Sequence, residues 1–196
     1  MDDEQYYQDP ESPFAFDGVF GFGRYMTTQH FDAPDYVLIN LGINDVFTYE
    51  EGSALQKKIQ TMLTQYQAMI DSIHAYCSDI RIGLCVTIPP AYGQASFGKA
   101  YGCRISRWRC KLNNFLWTEA MIESFIGKED KNIYLIPIHT NLDTCYNMGL
   151  ESMSVNARSS YTELSTVSNG NCHPDESGYW QIADAIWYFL KYMEVP

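Results

Sequence analysis

Long apolar runs are missing from this 196-residue chain. The longest nearly continuous one, Tyr36 to Leu41, has strand length and falls far short of the roughly 18 residues a membrane-spanning helix needs. Positive charge is also scarce: 13 Lys and Arg stand against 24 Asp and Glu, for a formal net charge of −11. Phosphate groups are bound by clustered Lys and Arg, so neither nucleic acid nor an anionic membrane is an expected partner. The one basic cluster, Arg104, Arg107, Arg109 and Lys111, alternates with Trp108 at what reads as a helix start, and is taken as a solvated face. The opening Met1-Asp2-Asp3-Glu4-Gln5 has neither the basic nor the apolar region of a signal peptide, although a longer parent chain could carry one.

Cys-x-x-Cys pairs are absent. The six cysteines lie at 77, 85, 103, 110, 145 and 172. Cys85 falls inside an apolar run and Cys77 near a helix end, where free cysteine packs as a small hydrophobe. Cys103 and Cys110, two turns apart if their helix is regular, are too distant to bridge. A reduced setting follows, cytoplasmic or virion-associated rather than secreted. His139, Cys145, Cys172 and His173 match no zinc spacing, so no metal or other cofactor is expected. Internal repeats and low-complexity tracts are missing too.

What is present is a globular composition, 46% hydrophobic and 15% aromatic. Residues 1–33 read as a tail and connecting segment, with Gly18, Gly21 and Gly23 among phenylalanines and a short helix near Arg24 to Phe31. From residue 34 to 196 the pattern regularises. Tyr36–Leu41, Ile80–Thr87 and Asn132–Pro137 read as strands buried on both faces. Helices are expected over about Gly52 to Tyr76, Ile105 to Ile126 and Glu176 to Tyr192. Their apolar stripes run through Leu55, Ile59, Met62, Tyr66, Met69, Ile73 and Tyr76; Leu112, Phe115, Leu116, Ala120, Ile122 and Phe125; and Tyr179, Ile182, Ala183, Ile186, Phe189 and Leu190. Residues 139–172 read as one long polar loop. Alternating strands and helices imply βαβ units, hence a three-layer α/β/α domain with a parallel sheet. Ligands bind such sheets at the carboxyl ends of the strands, where the loops after all three strands meet.

Two of those loops carry chemistry. Gly42-Ile43-Asn44-Asp45 leaves the first strand. Glycine permits a sharp turn and leaves its N–H open, and Asn44 adds an amide donor. A backbone N–H with an Asn amide is how an oxyanion hole holds a tetrahedral intermediate. The same four residues also suit an Asx-type turn closing the strand. The second segment is Asn171-Cys172-His173-Pro174-Asp175-Glu176-Ser177-Gly178-Tyr179. Pro174 keeps His173 out of helical geometry, and Asp175 or Ser177 can cap the helix that follows. An imidazole titrates near neutral pH and suits a general base. His173 also suits plain packing at the start of a helix.

Together, Pro34-Asp35-Tyr36-Val37, then Gly42-x-Asn44-Asp45, then His173-Pro174-x-x-x-Gly178-Tyr179 resembles the SGNH hydrolase family, the GDSL-like lipases and acylhydrolases. The likeness covers roughly residues 34–192. It implies an ester hydrolase acting on a small ester or an acylated carbohydrate, O-acetyl groups included. In that reading Gly42 N–H and the Asn44 side chain are oxyanion donors and His173 is the catalytic base. Asp45 braces the loop, while Pro90 and Tyr92 form a substrate-binding wall. Ser12-Pro13-Phe14 with Phe16-Asp17 and Tyr25-Met26 is similar, more weakly, to hydrolase domains attached to phage tail and other virion proteins.

The sequence departs from the family at two places. The Gly-Asp-Ser block on a first strand is not present, and Ser12 follows no apolar strand. Without an activated hydroxyl there is no acyl-enzyme route. The expectation is therefore that the serine is supplied upstream of this chain, which is the carboxyl-terminal portion of the domain and inactive alone. Gly170 stands where the family has an Asp three residues before its histidine. The competing expectation is a non-catalytic glycan-binding or structural module on a degenerate fold. The missing first strands also predict a bare edge along Tyr36–Leu41, to be covered by a longer parent chain, a partner chain or dimer, or residues 1–33.

Overall fold

The computed structural model describes residues 15–16, 19–47, 52–93, 106–166 and 172–194. Three parallel strands form the central sheet: β3 (Tyr36–Ile39), β4 (Arg81–Cys85) and β5 (Ile133–Ile136), in the order β3-β4-β5. Their register pairs Tyr36 with Arg81 and Ile82 with Ile133. The strands are shorter than their apolar runs because pairing ends where the chain turns into the loops that build the site.

Helices cover both faces. On one face lie α3 (Ser53–Tyr76) and α4 (Arg107–Phe125); on the other lies α5 (Glu176–Glu194). Strand residues alternate between them. Ile39, Ile82, Leu84 and Ile133 share one core with Leu55, Ile59, Met62, Tyr66, Trp117 and Met121. Cys85 and Ile136 point the other way, into a second core with Ile182 and Ala185, against which Phe189 packs. The fold is thus an α/β/α arrangement with a parallel sheet, as the periodicity implied.

Three expectations need correction. The buried stripe of α4 is Cys110, Asn113, Asn114, Trp117, Met121 and Phe125, while Phe115 is 58% exposed. The two asparagines face inward because loop carbonyls there require donors. On α5 the buried residues are Gly178, Ile182 and Ala185; Tyr179 and Ala183 are exposed. Residues 139–172 are not one loop: a 3-10 turn at Ile138–Thr140 is followed by an antiparallel hairpin, β6 (Leu150–Ser154) and β7 (Thr162–Thr166). Its strands are mostly Ser, Thr and Glu, so hydropathy carried no strand signal.

Ahead of the sheet, the two-residue strands β1 (Ala15–Phe16) and β2 (Val19–Phe20) lead into α1 (Phe22–Gln29). The segment seats on α3: Phe22 N–H donates to Ser72 Oγ at 3.1 Å, and the Phe22 and Tyr76 rings meet edge-on at 5.7 Å. Among the described residues β3 pairs with β4 only, and Leu38 and Leu41 are 39% and 55% exposed.

Candidate active site

The loop after β3 is fixed from several sides. Gly42 is buried, has φ of 118°, and precedes the four-residue helix α2 (Ile43–Val46). That φ is one L side chains rarely adopt. A Cβ at Gly42 would also stand 2.6 Å from Trp117 Nε1, so the backbone lies directly against the indole edge. The indole is itself anchored, donating from Nε1 to Thr87 Oγ1 at 2.8 Å. Tyr66 O–H donates to the Leu41 carbonyl at 2.8 Å, and Asn113 Nδ2 donates to the Val46 carbonyl at 2.9 Å. Burial pushes the Tyr66 hydroxyl above the usual phenol range, so it stays a donor. Lys58 Nζ, largely covered, pairs with Asp45 Oδ1 at 3.2 Å, tying α2 to α3. Asp45 is thereby engaged toward α3. Asn44, between these anchors, is exposed.

The loop after β4 is held by α4. Asn114 Nδ2 donates to the Ile88 carbonyl at 3.0 Å, and Arg107 Nε donates to the Ala91 carbonyl at 3.0 Å. The Arg107 guanidinium also lies over the Tyr92 ring at 5.0 Å. Part of the basic cluster is thus structural rather than solvated, while Arg104 lies outside the described residues. Pro90 is buried and Tyr92 is 62% exposed, so Tyr92 is the member of that pair with surface to offer.

The third segment comes from the start of α5. Asp175 Oδ1 accepts from Gly178 N–H at 3.0 Å and from Ser177 Oγ at 2.6 Å, an N-cap arrangement. The Ser177 hydrogen bond, helped by Gly178 N–H, holds the Asp175 carboxyl below the usual carboxylate range. Gly178 has no room for a side chain: a Cβ there would collide with the Asn147 carbonyl and Pro174. The Asn147 carbonyl also accepts from Asp175 N–H at 3.1 Å. Pro174 and Cys172 are buried on either side of exposed His173.

One contact joins the segments. Cys172 Sγ lies 3.8 Å from Asn44 Oδ1, across 128 residues of sequence. Cys172 also packs with Phe47 and Cys110, with Ile43 against them. His173, the next residue, is thereby brought to the loop that carries Gly42 and Asn44. Burial raises the Cys172 thiol to about 11 and Cys110 higher still, so neither is a thiolate nucleophile near neutrality.

Among the described residues, no serine hydroxyl and no carboxylate is hydrogen-bonded to the His173 ring; Ser177 is committed to Asp175. Ser12 and Gly170 lie outside the described residues. No group of three or more His, Cys, Asp and Glu is placed to hold a metal ion among the described residues.

A family model described as GDSL-like Lipase/Acylhydrolase matches residues 8–186. The chain belongs to the GDSL-like lipase/acylhydrolase family. Neither curated proteins nor solved structures gave a match. Membership assigns the chain to a family of ester hydrolases and gives the Asn44 and His173 segments a common context. Sequence reasoning passed over Asn113, Asn114 and Trp117 in this acylhydrolase, and read Tyr66 only as part of an apolar stripe and Cys172 without its contact to Asn44. Adjacent asparagines in the middle of a long helix were the available signal, since Asn is a poor helix former unless its amide is used.

Proposed function

We propose that the domain hydrolyses acyl esters by a Ser-His mechanism, with the serine supplied by polypeptide upstream of this chain. Gly42 N–H and Asn44 Nδ2 hold the oxyanion of the tetrahedral intermediate. His173 takes the proton from the serine hydroxyl as the acyl–serine bond forms, then returns it to the leaving alcohol. A water repeats the cycle to free the acid. Asp45 serves as the brace that keeps α2 on α3. The observation that carries this reading is the Cys172–Asn44 contact, which joins a base segment to an oxyanion loop at the carboxyl end of one sheet. The side of β3 that is unpaired among the described residues supports an external serine strand, because that side is where a further strand adds.

An acylated carbohydrate is the favoured substrate class. Tyr92 stands exposed on the loop after β4. At the start of α5, a shallow, open cavity of about 430 Å³ is lined by Asp175, Glu176, Ser177 and Trp180. Aromatic faces flanked by hydroxyls and carboxylates suit the apolar faces and hydroxyls of a sugar. The same surface is the reason to retain the second reading, a glycan-binding module without turnover, because His173 has no carboxylate partner among the described residues.

A fluorophosphonate probe, which is captured only by an activated serine, separates the two readings. The expected result is no label on the 196-residue chain and one labelled serine, mapped outside it, in the natural gene product. His173→Ala should abolish that label. Label on Ser12 or any other serine of this chain would overturn the external-serine proposal. A gene product that takes no label at all would favour the binding module.

A further inference from the structure

Resting on the oxyanion role of Asn44, we propose that Cys172 is a positioning residue: its thiol donates to Asn44 Oδ1 and so turns Asn44 Nδ2 toward the substrate. The two ends of an Asn side chain have nearly the same shape but opposite hydrogen-bonding character. An oxyanion is stabilised by the NH2 end and repelled by the carbonyl end. Asn44 is exposed, on a helix of only four residues, so neither packing nor secondary structure selects one orientation. A donor on the carbonyl side does. Cys172 Sγ stands 3.8 Å from Oδ1, within reach for a sulfur donor.

The thiol is well placed for that task. Cys172 is 6% exposed and clusters with Phe47 and Cys110. Phe47 and Ile43 flank Asn44 in sequence and pack on the same cluster, so α2 and the Cys172 segment are held together as one unit. Burial keeps the thiol protonated throughout the neutral range, so the donor does not switch off. His173 follows directly in sequence. A single residue thus sets the amide on one side of the site and anchors the segment that carries the base on the other. An aliphatic filler at position 172 would satisfy the packing but leave the amide free to turn.

The test uses two pairs of matched shape, Cys172→Ser with Cys172→Ala and Cys172→Thr with Cys172→Val. In each pair the first keeps a donor and the second removes it, so packing losses largely cancel. In the natural gene product, the Ala and Val variants should lose kcat by about tenfold with KM nearly unchanged, a part of the 10²–10³-fold that deleting an oxyanion donor costs. The Ser and Thr variants should stay near the parent. In the 196-residue chain, the Asn44 side-chain amide resonances should move in Ala and Val and remain in Ser and Thr. Equal behaviour within both pairs, in kcat and in the amide resonances, would leave Cys172 a packing residue and overturn the proposal. If the gene product is inactive but the amide resonances follow the donor, the hydrolase reading fails while the positioning contact stands.

Discussion

At the residue scale, Gly42 is the position where the loop tolerates least. Its φ of 118° is strained for any other residue, and the indole of Trp117 occupies the space a Cβ would need. Gly42→Ala should cost at least about 2 kcal/mol, read as a lowered urea midpoint, from the backbone conformation and overpacking combined. A stability equal to the parent would mean that the loop is not seated on Trp117. The buried thiols give a pH dependence of definite sign. Burial raises Cys85 and Cys172 from an ordinary value of 9.0 to about 11. Between those values the unfolded chain releases protons that the folded chain retains, so rising pH favours unfolding. Under reducing conditions stability should be level up to about pH 9 and fall as the pH approaches 11; urea titrations across that range check it. Cys77 and Cys85 were legible as free, small hydrophobes, while Cys103 lies outside the described residues. The role of Cys172 was not, because the contact with Asn44 spans 128 residues and no local pattern encodes it.

At the scale of elements, the strands and the long helix were readable from their apolar runs and stripe, although only β4 is buried on both faces; β3 buries Ile39 alone and leaves Leu38 exposed, against the expectation. α3 follows its predicted face at Leu55, Ile59, Met62, Tyr66 and Ile73, but Ile70 is buried where Met69 was expected, and Met69 and Tyr76 are half-buried. α4 broke the rule because its inward face meets loop carbonyls. Its inward face has to satisfy the carbonyls of Val46 and Ile88 in two site loops, so it carries Asn113 and Asn114 where hydropathy would place Leu112 and Phe115. Trp117→Phe tests this helix as a scaffold. The ring is kept, but Thr87 loses its partner in a buried site, which should cost about 1–3 kcal/mol. Thermal unfolding reads the loss; a neutral substitution would show that the indole fills space without holding the Gly42 platform. The hairpin of β6 and β7 was invisible to hydropathy because none of its described side chains is buried and its residues are mostly polar.

At the scale of the whole molecule, the sheet is covered by two helices on one face and by α5 on the other, with β3 unpaired on its outer side among the described residues. The outer face of α5 carries exposed Trp180, Trp187, Tyr188 and Tyr192, more aromatic surface than solvation favours. A serine-bearing strand beside β3 would complete both the sheet and the active site. The loop after β3, open to a bland reading by itself, is fixed by Tyr66, Trp117 and Asn113, and Cys172 joins it to the His173 segment. The account stands on Asn44 and His173 acting in one reaction, and aryl-acetate hydrolysis by the natural gene product tests that most directly. Asn44→Ala should lower kcat by 10²–10³-fold with KM little changed, as loss of an oxyanion donor does, and His173→Ala should lower it at least as far. Full activity in either variant, or full activity in the 196-residue chain with no serine added, would contradict it.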